Sequence, residues 1–205
     1  VGVSGDLATS RPDRMIGDEK KVDAIRRAGC LHNQVWIEWK DLGLIDYDHS
    51  DPTIRAEIWE YMDQVAMFWA RYADFTGGLV RFDNIHSSNE AYMSHLTRRL
   101  RETYPEVGLL AEFFADEKLL AVRAPQWQLH LLLAHTWEYK FTPDLRKYLR
   151  FIHDSSDDLR YYMPITTHDT GVPAQEFGDA RSTLPRYLIV ALMGTGCTGL
   201  VQGVE

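Results

Sequence analysis

The sequence is poor in cysteine, in excess positive charge and in long apolar runs. Its two cysteines, Cys30 and Cys197, lie far apart and lack metal-type spacing. We read them as free buried thiols, which fits a reducing, cytoplasmic setting. The formal net charge is −8, so nucleic acid and anionic membrane surfaces are poor partners, and neutral substrates fit better. No apolar run reaches transmembrane length. No signal peptide is visible, but the chain opens on Val1 and stops at Gln202-Gly203-Val204-Glu205, so that absence carries little weight. His-x-His and His-Glu-x-x-His spacings are lacking too, which argues against a metallohydrolase. There is no obvious internal repeat and no low-complexity stretch.

What remains is an ordinary soluble composition, 45% apolar and 25% charged, long enough for one domain with a real core. Six Trp and ten Tyr supply aromatic faces of the kind sugar sites use, although core packing explains them equally well. The most informative stretch is Gly78-Leu79-Val80-Arg81-Phe82-Asp83-Asn84-Ile85-His86. A short apolar run there ends in a base, a carboxylate and a histidine. Such groups are costly to bury unpaired, but they suit the C-terminal end of a parallel strand at a site. Val107 to Glu112 repeats the arrangement, and Met163 to Asp169 repeats it again with a His-Asp ending.

The rest of the pattern predicts strands alternating with helices. Residues 1 to 17 read as loop, 18 to 28 as a short helix, and 34 to 39 as a strand. Ile54 to Tyr72 is the strongest helix. Ile54, Ile58, Met62, Val65, Trp69 and Tyr72 build one apolar face, with Asp51 or Thr53 as cap. A second helix is expected over Asn89 to Tyr104, capped by Ser88, with Arg98-Arg99-Leu100-Arg101 as a solvated face. Residues 127 to 137 are ambiguous between strand and helix. Helices are expected over 144 to 152 and 184 to 193, and strands over 79 to 82, 107 to 111, 163 to 166 and 197 to 201. This order implies an α/β fold with a parallel sheet and crossovers.

In a parallel sheet Asp83, Glu112 and Asp169 would converge on one face. Two carboxylates flanking an acetal are what glycoside cleavage needs, one to attack and one to protonate the leaving oxygen. Arg81 precedes Asp83 by two and so shares its side of the strand, where a guanidinium would keep Asp83 ionised. Glu112 follows an apolar run, and a drier pocket would raise its proton affinity toward that of a working acid. Each piece alone has a plainer reading. Arg81 and Asp83 could be a structural ion pair, Glu112 a helix-start acid, and His168-Asp169 a cap or metal pair. His130, His135 and His153 read as structural or exposed, and Trp127 and Trp137 as core.

Taken together, the motifs resemble those of glycoside hydrolase family 13, the α-amylase family. Gly78 to His86 resembles its nucleophile strand, and Leu109-Leu110-Ala111-Glu112-Phe113-Phe114 its general-acid strand. Thr167-His168-Asp169 resembles its last catalytic motif, and Gly199 to Glu205 its closing barrel strand. The resemblance covers roughly Asp41 to Glu205. It implies a (β/α)8 TIM barrel, incomplete here (about strands 3/4 to 8), with residues 1 to 40 poorly assigned. It also implies retaining cleavage of α-glucosidic bonds in an α-glucan or malto-oligosaccharide. Asp83 would be the nucleophile, Glu112 the acid/base and Asp169 the transition-state stabiliser. His168 and His86 would contact sugar, and Arg81 would orient Asp83. The family's early Asp-x-x-x-Asn-His motif is missing, so residues 1 to 205 alone are expected to be unstable and inactive, with exposed strand edges.

Histidine three residues after Asp83 looks more like maltosyltransferases that use maltose 1-phosphate, or the glucanotransferase half of glycogen debranching enzymes. Hydrolysis and transfer both stay open. Lys118, Arg123 and Lys140 are candidates for a phosphate-binding patch. No cofactor is required. Calcium helps many members of the family, but no ligands for it can be picked out here. Oligomeric state is not legible. The alternative from another class is a catalytically silent, glucan-binding barrel.

Overall fold

The computed structural model describes residues 45 to 202 and 204; the expected helix over 18 to 28 and strand over 34 to 39 lie outside these residues. The chain divides into two compact units, Val1–Asp116 with Gln126–Leu129, and Glu117–Pro125 with His130–Glu205. Both are α/β, with parallel strand pairs joined through helices.

The described part of the first unit begins with α1, Pro52–Thr76. Asp51 caps it by accepting from the Thr53 N–H at 2.8 Å, and Pro52 occupies the first turn, where its missing N–H costs nothing. The helix ends in a Schellman turn. Gly77 takes φ 65°, its N–H donates to Asp74 O, and the Gly78 N–H donates to Ala73 O at 2.7 Å. That left-handed residue turns the chain directly into β1, Leu79–Phe82. Helix α2, Glu90–Thr103, then leads to β2, Gly108–Ala111, which pairs parallel with β1 in the register Leu79↔Gly108 to Phe82↔Ala111. The cap of α2 is Asn89, accepting from the Tyr92 N–H at 2.8 Å, rather than the expected Ser88.

The expected apolar stripe of α1 is only partly buried. Met62, Asp63 and Ala70 are enclosed, whereas Trp69 and Tyr72 are more than half exposed. The helix is rotated so that a carboxylate faces α2. Asp63 is 1% exposed and accepts from the Tyr92 hydroxyl at 3.2 Å. His95 Nε2 lies 2.7 Å from it, and Arg99 also donates to it. Arg99 is therefore not part of a purely solvated run: the network offsets the cost of burying the carboxylate. Tyr47 stacks on Tyr92 at 4.4 Å, and the Trp59 indole N–H donates to Tyr47 O at 2.9 Å. Leu96, Leu100, Leu109 and Ala111 complete the core, with Phe113 stacked on Trp127, which is buried as expected.

The second unit contains α3 (Glu117–Gln126, whose last residue belongs to the first unit), β3 (Leu131–Leu133), α4 (Thr142–Asp154), β4 (Tyr161–Tyr162), the short α5 (Pro173–Glu176) and α6 (Thr183–Met193). Helix α3 was not expected. It carries Pro125 and a weak apolar pattern, burying only Leu120 and Ala124. By contrast α4 buries Leu145, Tyr148, Leu149 and Ile152, the spacing of one helical face. Strand β3 pairs parallel with β4, Leu132↔Tyr161 and Leu133↔Tyr162.

The strand expected over 163 to 166 lies two residues earlier, and the one expected over 197 to 201 shrinks to a single parallel bridge, Tyr162↔Cys197. That bridge is closed by Cys197 N–H to Tyr161 O at 3.0 Å and Met163 N–H to Cys197 O at 2.8 Å. A Cβ on Gly196 would sit 2.2 Å from Tyr161 O, so only glycine permits this approach. Cys197 is exposed, against the expectation of a buried thiol, because one bridge does not cover its side chain. Among the described residues no helix is long and apolar enough to cross a membrane.

The buried carboxylate gives a direct test. Asp63→Ala is expected to cost about 2–4 kcal/mol, because it strips a charged acceptor from Tyr92, His95 and Arg99 at once. Arg98→Ala, on the exposed side of α2, should change stability by less than about 0.5 kcal/mol. Urea unfolding of the intact protein measures both, and equal effects would contradict the assignment.

Candidate active site

The parallel register of β1 and β2 carries straight on into the residues that follow them. Glu112 N–H donates to Phe82 O at 2.9 Å, and Ile85 N–H donates to Glu112 O at 3.0 Å. Asp83 and Glu112 therefore leave neighbouring strands at the same end, one residue past each. Arg81 is the last but one residue of β1, and its side chain follows Asp83 as the two-residue period requires. Its Nη1 lies 2.6 Å from Asp83 Oδ1, and its Nη2 3.4 Å from Glu112 Oε1. The second contact is an ion pair without hydrogen-bond geometry. One guanidinium thus serves two carboxylates.

The two acids differ in environment. The Asp83 side chain is 56% exposed and that of Glu112 15% exposed. Burial pushes the Glu112 carboxyl up to about 7, and the adjoining Asp83 carboxylate adds to the rise by hydrogen bond and charge. Arg81 and the Asn84 amide pull the other way without cancelling it. A half-buried carboxyl that holds its proton near neutrality, beside a more exposed one, can give a proton while its neighbour attacks.

His86 is the middle residue of a turn of 3₁₀ helix, Ile85–Ser87, and lies against the backbone of Glu112. Its Nδ1 is 3.4 Å from Glu112 O, the Phe114 N–H donates to the same nitrogen at 3.4 Å, and its ring lies 5.7 Å from that of Phe114. Asp83 and Arg81 border a cleft of about 590 Å³ that Trp69, Tyr72 and Phe82 also line.

Of the sequence-predicted residues, Arg81, Asp83, His86 and Glu112 are thus brought together within the first unit. His168 and Asp169 belong to the second, where His168 Nε2 is 3.0 Å from Asp169 Oδ2, both well exposed. Threonine hydroxyls brace their loop. The buried Thr166 Oγ1 is 2.8 Å from Thr170 Oγ1 and donates to Gly171 O at 3.0 Å. Thr167 N–H donates to Thr170 Oγ1 at 2.8 Å, and Asp169 N–H to Thr167 Oγ1 at 3.2 Å.

Of the suggested phosphate-binding cations, Lys140 pairs with Glu176 at 2.9 Å. Arg186, which the sequence did not single out, lies over the Phe177 ring at 4.0 Å and donates to Thr136 O and Tyr139 O. His135 pairs with Glu138 at 2.8 Å, and His153 is exposed. Trp137, expected in the core, is only half-buried. Among the described residues no group of three or more His, Cys, Asp or Glu is arranged to hold a metal ion. Sequence reasoning also passed over Asn84, whose backbone is left-handed and whose amide meets Glu112. An asparagine two residues past a strand end was the available signal.

No family model matches the chain. It is 26% identical over 141 residues to the α-1,4-glucan:maltose-1-phosphate maltosyltransferase of Chlorobaculum tepidum, covering 62% of this chain and 20% of that protein. Proteins of the same name match from Myxococcus xanthus, at 26% identity over 53% of this chain and 16% of that protein, and from Arcanobacterium haemolyticum, at 24% over 82% and 23%. The chain thus spans about a fifth of the length of the curated relatives it matches. These relatives are distant, carbohydrate-active enzymes by name.

Proposed function

We propose that the chain is the catalytic part of an α-glucan-active enzyme, a portion of a (β/α)8 barrel that cleaves α-glucosidic bonds with retention. The observation that carries the reading is the pair Asp83 and Glu112 on adjacent strand ends, sharing Arg81, with Glu112 pushed up to about 7. In the first step an Asp83 oxygen attacks the anomeric carbon and the bond to the leaving oxygen breaks. The Glu112 proton goes to that oxygen. In the second step an acceptor hydroxyl gives its proton to the Glu112 carboxylate. Its oxygen attacks the anomeric carbon, and the ester to Asp83 breaks.

Asp169 would bind sugar hydroxyls and stabilise the transition state, with His168 and His86 as sugar contacts. The His86 Nδ1 edge faces the backbone of Glu112 and Phe114, which holds the ring beside the acid. The relatives' names, which carry α-1,4-glucan and maltose 1-phosphate, favour transfer over hydrolysis, with a glycosyl phosphate as donor.

Covalent chemistry at Asp83 is open to direct trapping. Glu112→Gln, in the intact protein, given an α-maltosyl fluoride whose leaving group needs no acid, should accumulate an ester on Asp83, seen by peptide mass mapping. Asp83→Asn should form none and lose turnover by several orders of magnitude while staying folded. An adduct elsewhere, or turnover by Asp83→Asn near the parent's, would refute the reading.

A second expectation concerns pH. The first step needs protonated Glu112, so kcat/KM should fall as pH rises through about 7. Glu112→Gln should lack that limb on the fluoride donor. A pH profile measured on both proteins checks this, and a limb that persists in Glu112→Gln would assign the ionisation to another group.

A further inference from the structure

Asn84 adopts φ 47° and ψ 41°, the left-handed region that most side chains avoid. It follows Asp83 directly, in a turn whose next residue, Ile85, is 1% exposed and so anchored in the core. The turn has a specific product. It lifts the Asn84 N–H out of the line of β1 and aims it at Glu112 Oε2, 3.0 Å away. The following amide, Ile85 N–H, donates to the Glu112 carbonyl at 3.0 Å, and Glu112's own N–H donates to Phe82 O at 2.9 Å. Three backbone groups from the residues around Asp83 therefore hold Glu112, and one of them grips its side chain. With β1 fixed on one side and the buried Ile85 on the other, a right-handed residue at 84 could be fitted only by turning the Asp83–Asn84 peptide that carries this N–H.

We propose that Asn84 is a positioning residue. Its left-handed turn presents a backbone N–H that fixes the Glu112 carboxyl against Asp83, and the backbone conformation does this rather than the carboxamide. The proposal rests on the reading of Glu112 as acid/base given above. Among the described residues of the first unit, Arg81 and Asp83 are the charged groups facing the Glu112 carboxyl, while His86 faces its backbone carbonyl. The amide favours the charged carboxylate, so removing it raises the proton affinity of Glu112.

The test compares Asn84→Gly with Asn84→Val. Both delete the carboxamide. Glycine keeps the left-handed turn at no steric cost, whereas a β-branched residue opposes it. The readout is the titration of Glu112 by carbon NMR in the intact protein labelled at glutamate, with Glu112→Gln identifying the resonance. We expect Asn84→Gly to titrate with the parent and Asn84→Val to titrate about half to one pH unit higher, with the high-pH limb of kcat/KM moving by the same amount. Glycine and valine variants that titrate together would overturn the proposal, whether or not they match the parent.

If Asn84→Val does not fold, an ester in place of the residue 84 amide, with the side chain kept, removes the same N–H. It should raise the Glu112 titration alike, and an unmoved titration would overturn the proposal. The NMR arm needs no turnover. A parent protein inert toward α-glucosides would count against the proposed function and not against the positioning.

Discussion

Two carboxylates on adjacent strand ends repel one another, and in a half-buried site water screens the repulsion poorly. A single guanidinium resolves the conflict here. Arg81 reaches Asp83 at 2.6 Å and Glu112 at 3.4 Å, so one cation bridges the pair. The asymmetry matters more than the attraction. Glu112 is the drier of the two and makes only the looser contact with the cation. It is also the one whose proton is held up to about 7. Asp83 is 56% exposed, so an ion pair of this kind is weak evidence for stability. Its value lies in holding the two carboxyls side by side, while burial and the neighbouring Asp83 raise the proton affinity of Glu112 against the pull of Arg81.

Everything in the described first unit bears on that placement. The left-handed Gly77 turns α1 into β1 without a loop, and the parallel register with β2 sets residue 81 opposite residue 110. The acids at 83 and 112 then follow as the next residues on each strand. The Asp63 network fastens α1 to α2, the helix that connects the two strands. The buried Asp63 is justified by its partners Tyr92, His95 and Arg99.

Much of this was legible in the sequence. The β1 strand was bounded by a glycine pair and by charged residues that a strand interior does not tolerate, and its limits agree with the structure. The long helix was visible in its periodicity, yet its buried side was misjudged. The burial of Asp63 depends on partners on α2, far along the chain, which no local pattern shows. The same distance hid the role of Arg99. Helix α3 escaped because its apolar residues lack a sharp face and Pro125 reads as a breaker. The position of β4 at Tyr161–Tyr162 was missed because the strand is only two residues long, too brief for periodicity to locate. Backbone signs such as the φ of Asn84 have no periodic signature at all. The pair His168 and Asp169 was read from its motif, and the threonine hydroxyls that brace the loop were not.

The central claim is double displacement through Asp83, which predicts the stereochemistry of the first product formed. Proton NMR of the anomeric signals, recorded within the first minutes of turnover of an α-glucosyl donor by the intact protein, tests it before mutarotation intervenes. Retention, with the α-anomer appearing first, is the predicted result. A β-anomer appearing first would mean a single displacement by water, and would contradict the assignment of Asp83 as nucleophile.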